Sequence, residues 1–538
     1  MKRNSLGFLL ILIPVMTLTV LQCRTGSDNR VATAMDYGVS MGYYQLDSAG
    51  RQATNRIQVL SVNDHLDVPW EVKYAQGALW YSLQSGEVYR MPLATGQARK
   101  VLTLPGVKRK RTMGSLGMAI DSLAGLTQVY LIYNTALESG GQKADTSYET
   151  ELVCYDYDKR LDTLTHRRLV FSWPASTSHN GARVLIGRQN DLYVTTGDLE
   201  DNRNAQDTGS LNGKVLRIMK DGSLPKDNPF QGSYVWSYGH RNSQGICYGP
   251  HGQIYASEHG DAIEDEVNLI EKAKNYGWPL VEGKLDQPEE IRKVDSLGLK
   301  ITEPLTSWTP TIAPASILYY NKGEIKAFEN SLLLVTLKGN ALYVLHLDQT
   351  GKKITGQDVY FQHYFGRLRS ICLDEKGRVF IGTSNRDWNP GPGYPKPEDD
   401  HILMLTTDLT GIKDSTQFKP AGGAQVGLLS ENKGQDLFIN YCSSCHKPDG
   451  KGIPGTFPPL AGNGFLKNNR ALVGVLQRGR TGTHEIMGKT YSQAMPNFSF
   501  LTDQEMLQLI NYLKRQLVQA PEINKADFSK LRSAAMKP

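Results

Sequence analysis

Tyr441-Cys442-Ser443-Ser444-Cys445-His446 divides the chain. It reads C-x-x-C-H, the attachment pattern of a c-type haem. Two thiols two residues apart reach the two vinyl groups of one porphyrin, and the adjacent histidine then lies under the iron as proximal ligand. The same spacing can be half of a zinc site or a redox dithiol. Zinc needs a second Cys/His pair nearby, and none follows. A thioredoxin-like pair belongs in a βαβ turn, whereas this one closes a helical pattern. Downstream, Met495 precedes Pro496, and proline fixes the backbone of a loop that could hold a thioether against iron. Met487 is the competitor and lacks the proline. Thr502 and Glu505 then form a T-x-x-E capping box, and Met506, Leu507, Leu509, Ile510 and Leu513 recur near helical spacing as far as Leu517. The pattern predicts a small all-α domain over 431–518. Cys442 and Cys445 would carry the haem covalently, with His446 and Met495 on its iron.

From about Ser430 to Leu517 the segment resembles a class I cytochrome c. It leaves most of the 538 residues for something else, and a chain this long is expected to hold two or more domains. Hydrophobic content of 40% and charged content of 21% are ordinary for globular protein. A net charge of +6 is modest over this length. With no basic stripe carrying interleaved aromatics, nucleic acid is not an expected partner, and Lys108-Arg109-Lys110-Arg111 reads as one solvated loop. Of six cysteines, Cys154, Cys247 and Cys372 remain after the haem pair and Cys23. Three cannot all pair, so no disulfide framework is implied.

Met1 to Gln22 reads as an export signal: Lys2 and Arg3, then an apolar run from Leu6 to Val20, too short for a membrane span. Cys23 follows as in a lipoprotein signal, whose cysteine becomes a lipid anchor, although Gln22 replaces the usual small residue. Residues 24–56 read as a linker. Export to the periplasm or the outer face of a membrane agrees with a c-type haem.

Between Ile57 and Leu405 the pattern is short strands after turns rich in Gly, Asn or Asp: Ala78-Leu79-Trp80-Tyr81-Ser82, Leu192-Tyr193-Val194-Thr195, Gln253-Ile254-Tyr255-Ala256, Arg378-Val379-Phe380-Ile381. Recurrence at wide spacing suggests propeller blades, and about 350 residues would give six. Two β-sandwiches remain the alternative on periodicity alone.

Within this region stand Asp67-Val68-Pro69-Trp70, Ser178-His179-Asn180-Gly181-Ala182-Arg183, Thr196-Gly197-Asp198, Gly239-His240-Arg241-Asn242-Ser243-Gln244-Gly245, Glu258-His259-Gly260-Asp261, Asn275-Tyr276-Gly277-Trp278-Pro279 and Gly366-Arg367-Leu368-Arg369. Together they resemble the PQQ-dependent glucose/sorbosone dehydrogenases over residues 57–408. The resemblance implies a six-bladed all-β propeller with PQQ at the mouth of its channel. It places the catalytic histidine on His179, oriented by Asp198, with Arg241 at the reacting centre. Arg241, Asn242, Gln244, Lys338, Arg367 and Arg369 fall on cofactor-pocket positions, and the backbone oxygens of Gly260 and Asp261 on those of a calcium ion that polarises PQQ. Histidine suits a base near neutral pH, arginine suits carboxylates, and calcium suits hard oxygen donors. Three positions depart from the family: Ser178 where an acidic residue is found, Asp261 where proline is frequent, and Thr112 where Gln or Glu contacts the sugar.

Residues 409–430 read as a flexible linker tethering haem near quinone, and 519–538 as a basic, disordered tail. The reading is an exported quinohaemoprotein dehydrogenase. It would oxidise an aldose or related polyol at PQQ, pass electrons singly to the haem, and be reoxidised by an external acceptor. The alternatives are a PQQ-free propeller that docks the cytochrome, and a calcium-dependent lactonase, which would have no use for a haem.

Overall fold

The computed structural model describes residues 42–43, 57–123, 125–137, 147–391, 393–408 and 433–535. Met1 to Gln22, read above as an export signal, Cys23 and the expected linker 409–430 lie outside them.

Six antiparallel sheets follow one another along the chain to residue 406. Their innermost strands, Pro69–Ala75, Ser115–Leu123, Gly181–Ile186, Ser243–Tyr248, Pro314–Tyr320 and Leu368–Leu373, touch each neighbour in turn and the last touches the first. The result is a six-bladed β-propeller. The ring is clasped by its own ends: Ile57–Asn63 pairs with Ile402–Thr406 in the blade that also holds Val379–Thr383 and Leu368–Leu373. Such closure joins the first and last blades into a ring.

The sequence alternates only in part because each sheet is covered on both faces by its neighbours, which favours near-continuous apolar runs. All six residues of Ala78–Leu83 are buried. Between the first two blades pack Trp80, Val88, Met118, Leu131 and Tyr155, at about 1.5–3 kcal/mol for each large apolar side chain removed from water. Cys154, Cys247 and Cys372 are buried in three different blades. Burial raises all three thiols, Cys247 to about 12, which leaves them unreactive.

The C-terminal domain packs the helices Lys433–Tyr441, Asn469–Arg478 and Asp503–Val518 around Phe438, Leu472, Leu476, Met506, Leu509 and Leu513. Thr502 caps the last of these with both bonds of the capping box in place. The tail departs from expectation. Lys525–Ala535 is a helix, with Phe528 fully buried in the same core. Phe528, Leu531 and Ala535 share one face, and Arg532 donates to the carbonyls of Leu501 (2.6 Å) and Ser499 (3.0 Å) instead of facing water. An isolated helix of this length is marginal. Its order comes from packing, which basic composition does not reveal.

Candidate active site and haem crevice

The turn before Gly181–Ile186 is built to present one imidazole. Asn180 clamps Ser176, its Oδ1 accepting from the Ser176 N–H (3.0 Å) and its Nδ2 donating to the Ser176 carbonyl (2.8 Å). His179 takes a left-handed backbone, φ 49°. Gly197 comes so close that a Cβ there would lie 2.0 Å from the His179 carbonyl oxygen, so only glycine lets the two loops meet. They meet at His179 Nδ1 and Asp198 Oδ1, 2.7 Å apart. The other Asp198 oxygen accepts from Trp278 Nε1 at 2.9 Å. Burial pushes the Asp198 carboxyl up, but the His179 hydrogen bond and the charges of His179 and Arg241 outweigh it and hold the group below its usual range. An ionised Asp198 can only accept, so His179 Nδ1 carries the proton and Nε2 presents a lone pair.

Arg241 lies over the Trp278 ring, 5.2 Å from its centroid, and donates to Asp261 at 2.8 Å. Its turn is tied down by Glu258, which accepts from the Arg241 N–H, from Ser243 Oγ (2.8 Å) and from His240 Nδ1 (2.8 Å). Asn242 Oδ1 accepts from the Gly181 N–H (3.1 Å) and from Gln244 Nε2 (2.9 Å), so these two side chains brace each other and the His179 turn. Lys338 Nζ donates to Thr311 at 2.7 Å, and burial lowers its pKa. Arg367 and Arg369 converge on one oxygen of Asp387 at 2.9 and 2.8 Å. Arg369 also sits over Trp70 at 3.7 Å, and burial brings its pKa down to about 10. Gly260 and Asp261 stand in a loop fixed by Asp265, which accepts from the N–H groups of Gly260 (2.8 Å), Ile312 (2.5 Å) and Ala313 (2.6 Å).

His446 is buried, and its Nδ1 lies 2.8 Å from the Pro458 carbonyl oxygen. A carbonyl only accepts, so Nδ1 is protonated and Nε2 is the nitrogen left free to meet a ligand. Met495 is held by paired backbone bonds with Arg480, both 2.8 Å. Met487 is 60% exposed, which favours Met495 as the second sulfur-bearing candidate.

One cavity of about 600 Å³ joins the two domains. His179, Arg241, Asn242, Gln244, Lys338, Arg367 and Arg369 line it from the propeller, and Cys442, Cys445, His446, Phe465 and Met495 from the helical domain. Lys338 lies within electrostatic reach of the Cys442 and Cys445 sulfurs. The donors suit a small polyanion and a porphyrin. Among the described residues, buried Arg111 Nε, Arg241 Nε and His259 Nε2 have no hydrogen-bond partner, an arrangement that costs free energy until a ligand supplies acceptors. The His259 imidazole is kept neutral, lowered to about 3 by burial and by Arg241, His179 and Arg369. Among the described residues no cluster of three or more His, Cys, Asp or Glu side chains is arranged to hold a metal ion. The Asp261 carboxylate is engaged by Arg241, so Gly260 and Asp261 could offer a calcium ion only their backbone oxygens.

The family model described as Glucose / Sorbosone dehydrogenase matches residues 66–389, and that of Cytochrome c matches 431–516. The chain belongs to the glucose/sorbosone dehydrogenase family. It is a sugar dehydrogenase propeller with a cytochrome c domain joined behind it. It is 28% identical over 372 residues to quinoprotein glucose dehydrogenase B of Acinetobacter calcoaceticus, covering 55% of this chain and 78% of that protein. The PQQ-bound aldose sugar dehydrogenase of Streptomyces coelicolor superposes with a TM-score of 0.55 at 30% identity, over 66% of this chain and 98% of the other. The cytochrome c domain is 33% identical over 90 residues to cytochrome c-552 of Thermus thermophilus, covering 16% of this chain and 60% of that protein.

Three contributors to this glucose/sorbosone dehydrogenase site escape sequence reasoning. Trp278 falls in a recognised motif that suggests no role for it. Asp387, which neutralises part of the arginine pair, lies in a loop without a motif. Gln493 reaches the propeller from the helical domain, and only the tertiary fold reveals that.

Proposed function

We propose that this protein is an exported quinohaemoprotein that oxidises an aldose or related polyol. The observation that carries the reading is the shared cavity: His179, backed by Asp198, faces one space with four cations and the C-x-x-C-H segment. When bound, PQQ would supply the hydride acceptor and the haem a one-electron acceptor. His179 Nε2 takes the proton of the sugar hydroxyl as the carbon gives up hydride, and Asp198 stabilises the resulting imidazolium. Arg241, Lys338, Arg367 and Arg369 hold the carboxylates of the cofactor and orient it over His179. Gly260 and Asp261 offer backbone oxygens to a calcium ion. Cys442 and Cys445 would carry the haem covalently, and His446 and Met495 would be the side chains that hold its iron. The sugar becomes the corresponding lactone or carbonyl compound, and the haem would supply the one-electron chemistry that links the site to an external acceptor. The signal-like N-terminus and the c-type haem support export, and Cys23 supports membrane anchoring.

The test is haem reduction. Protein with oxidised haem is given calcium and PQQ, then a panel of aldoses, while the haem α-band is followed. PQQ-dependent reduction that disappears in His179→Ala is the expected result. If PQQ binds and no sugar reduces the haem, the substrate class is wrong and Thr112 is the place to look. A protein that binds no PQQ would be a docking module for the cytochrome.

A further inference from the structure

The cytochrome domain roofs the mouth of the propeller. With it in place the His179 side chain keeps 16% exposure and Arg241 12%, so both face the cavity and not bulk water. Two small polar patches hold it there. Gln493, two residues before Met495, accepts from Arg111 Nη2 at 2.5 Å and donates to Glu200 at 2.8 Å. Lys447, next to His446, donates to Asn389 and to the Pro390 carbonyl (3.2 Å). Beside it Phe457 meets Trp388 at 5.9 Å between ring centroids, with the Arg111 guanidinium 5.2 Å from the Trp388 ring centre. Of the propeller's apolar side chains, Ala262 packs against the core of the helical domain. Polar contacts of this kind characterise interfaces that open and close, not permanent ones. They are nonetheless specific, because each patch is one or two residues from an iron-ligand candidate.

The roofed cavity has to receive a porphyrin and a tricyclic quinone, and the His179 side chain that a sugar must reach keeps 16% exposure beneath the cytochrome domain. We propose that sugar and the docked cytochrome domain occupy the propeller mouth by turns. The domain stands away while sugar binds against His179, and returns once the product has left, placing Cys442 and Cys445 beside Lys338 for electron transfer. The inference rests on the sugar-dehydrogenase reading.

Asn389→Cys with Lys447→Cys places one thiol on each side of the interface, joined by a cleavable bis-maleimide. Cys154, Cys247 and Cys372 are buried and do not compete. Glu200→Cys with Gln493→Cys is the second pair, should the first fold poorly. Two readouts apply to calcium- and PQQ-loaded protein. Saturating glucose is expected to lower the crosslinking yield several-fold. The crosslinked protein is expected to show glucose-driven haem reduction slowed about tenfold or more, restored when the linker is cleaved, as for a lid that gates its site. Equal yields with and without glucose, or equal rates before and after cleavage, overturn the proposal, as does failure of both pairs to crosslink. Crosslinking that proceeds normally in a protein whose haem no sugar reduces, even uncrosslinked, sinks the sugar-dehydrogenase reading and the alternation with it.

Discussion

Asp198 is where the chemistry is most sharply constrained. One of its oxygens fixes the His179 tautomer and the other is fixed by Trp278. Asp198→Asn keeps the shape but can donate to Nδ1, so it can present the wrong tautomer. Sugar-dependent haem reduction is expected to fall ~10²–10⁴-fold, the span of general acid–base catalysis, with PQQ affinity unchanged, as a fluorescence titration would show. Trp278→Phe removes one hydrogen bond to a charged group, worth about 1.5–3 kcal/mol, and is expected to cost correspondingly less. At the haem, Met495→Leu is expected to lower the reduction potential and alter the visible spectrum, whereas Met487→Leu leaves both unchanged. Potentiometric titration of the two variants decides between the sulfurs. His179, Asp198, Arg241 and the haem pentapeptide were legible in sequence because each sits in a contiguous motif. Trp278 and Asp387 were not, since their roles exist only once loops 80 and about 20 residues away fold against them.

Elements carry the supporting work. The loop 203–214 beneath Asp198 is pinned by Lys214, whose ammonium donates to the carbonyls of Asn204 (2.5 Å), Ala205 (3.1 Å) and Asn212 (2.7 Å), while Asn204 Nδ2 donates to the Asp198 carbonyl. Burial lowers Lys214 to about 7 from 10.5, with Asp207 pulling weakly the other way. Between those values the folded chain binds fewer protons than the unfolded one, so stability rises with pH across that window. Lys214→Met is expected to abolish this slope, which amounts to about 5 kcal/mol at most at 1.36 kcal/mol per pKa unit. Urea melts at pH 7 and pH 10 measure it. In the cytochrome domain, Gly479 has φ +70° and a Cβ there would lie 2.6 Å from the Met495 carbonyl oxygen; Gly479→Ala is expected to displace that loop and reproduce the spectrum of Met495→Leu in part. Phe528→Ala is expected to destabilise the domain by about 3–5 kcal/mol, read from its thermal melt. Strands and the capped helix were legible from local pattern. The final helix was not, because Phe528 and Leu531, its two large apolar residues, announce an amphipathic face only when a core is there to receive it.

For the molecule as a whole, the fold followed from the chain, while the relation between its two parts did not. No residue pattern states that Gln493 meets Arg111, which lies 382 positions away. Calcium bears on that relation. If Gly260 and Asp261 hold a calcium ion as proposed, chelation is expected to abolish sugar-driven haem reduction while dithionite still reduces the haem fully; loss of both would place the ion elsewhere. The clasp between the two ends of the propeller has a temporal consequence. Gln58 pairs with Thr406, so the first strand waits, unpaired on that side, for nearly the entire propeller to be made. Contacts this far apart in sequence form slowly, and the ring stays open until they do. A site lined by several blades is therefore complete only once that clasp between the chain's early and late strands has formed.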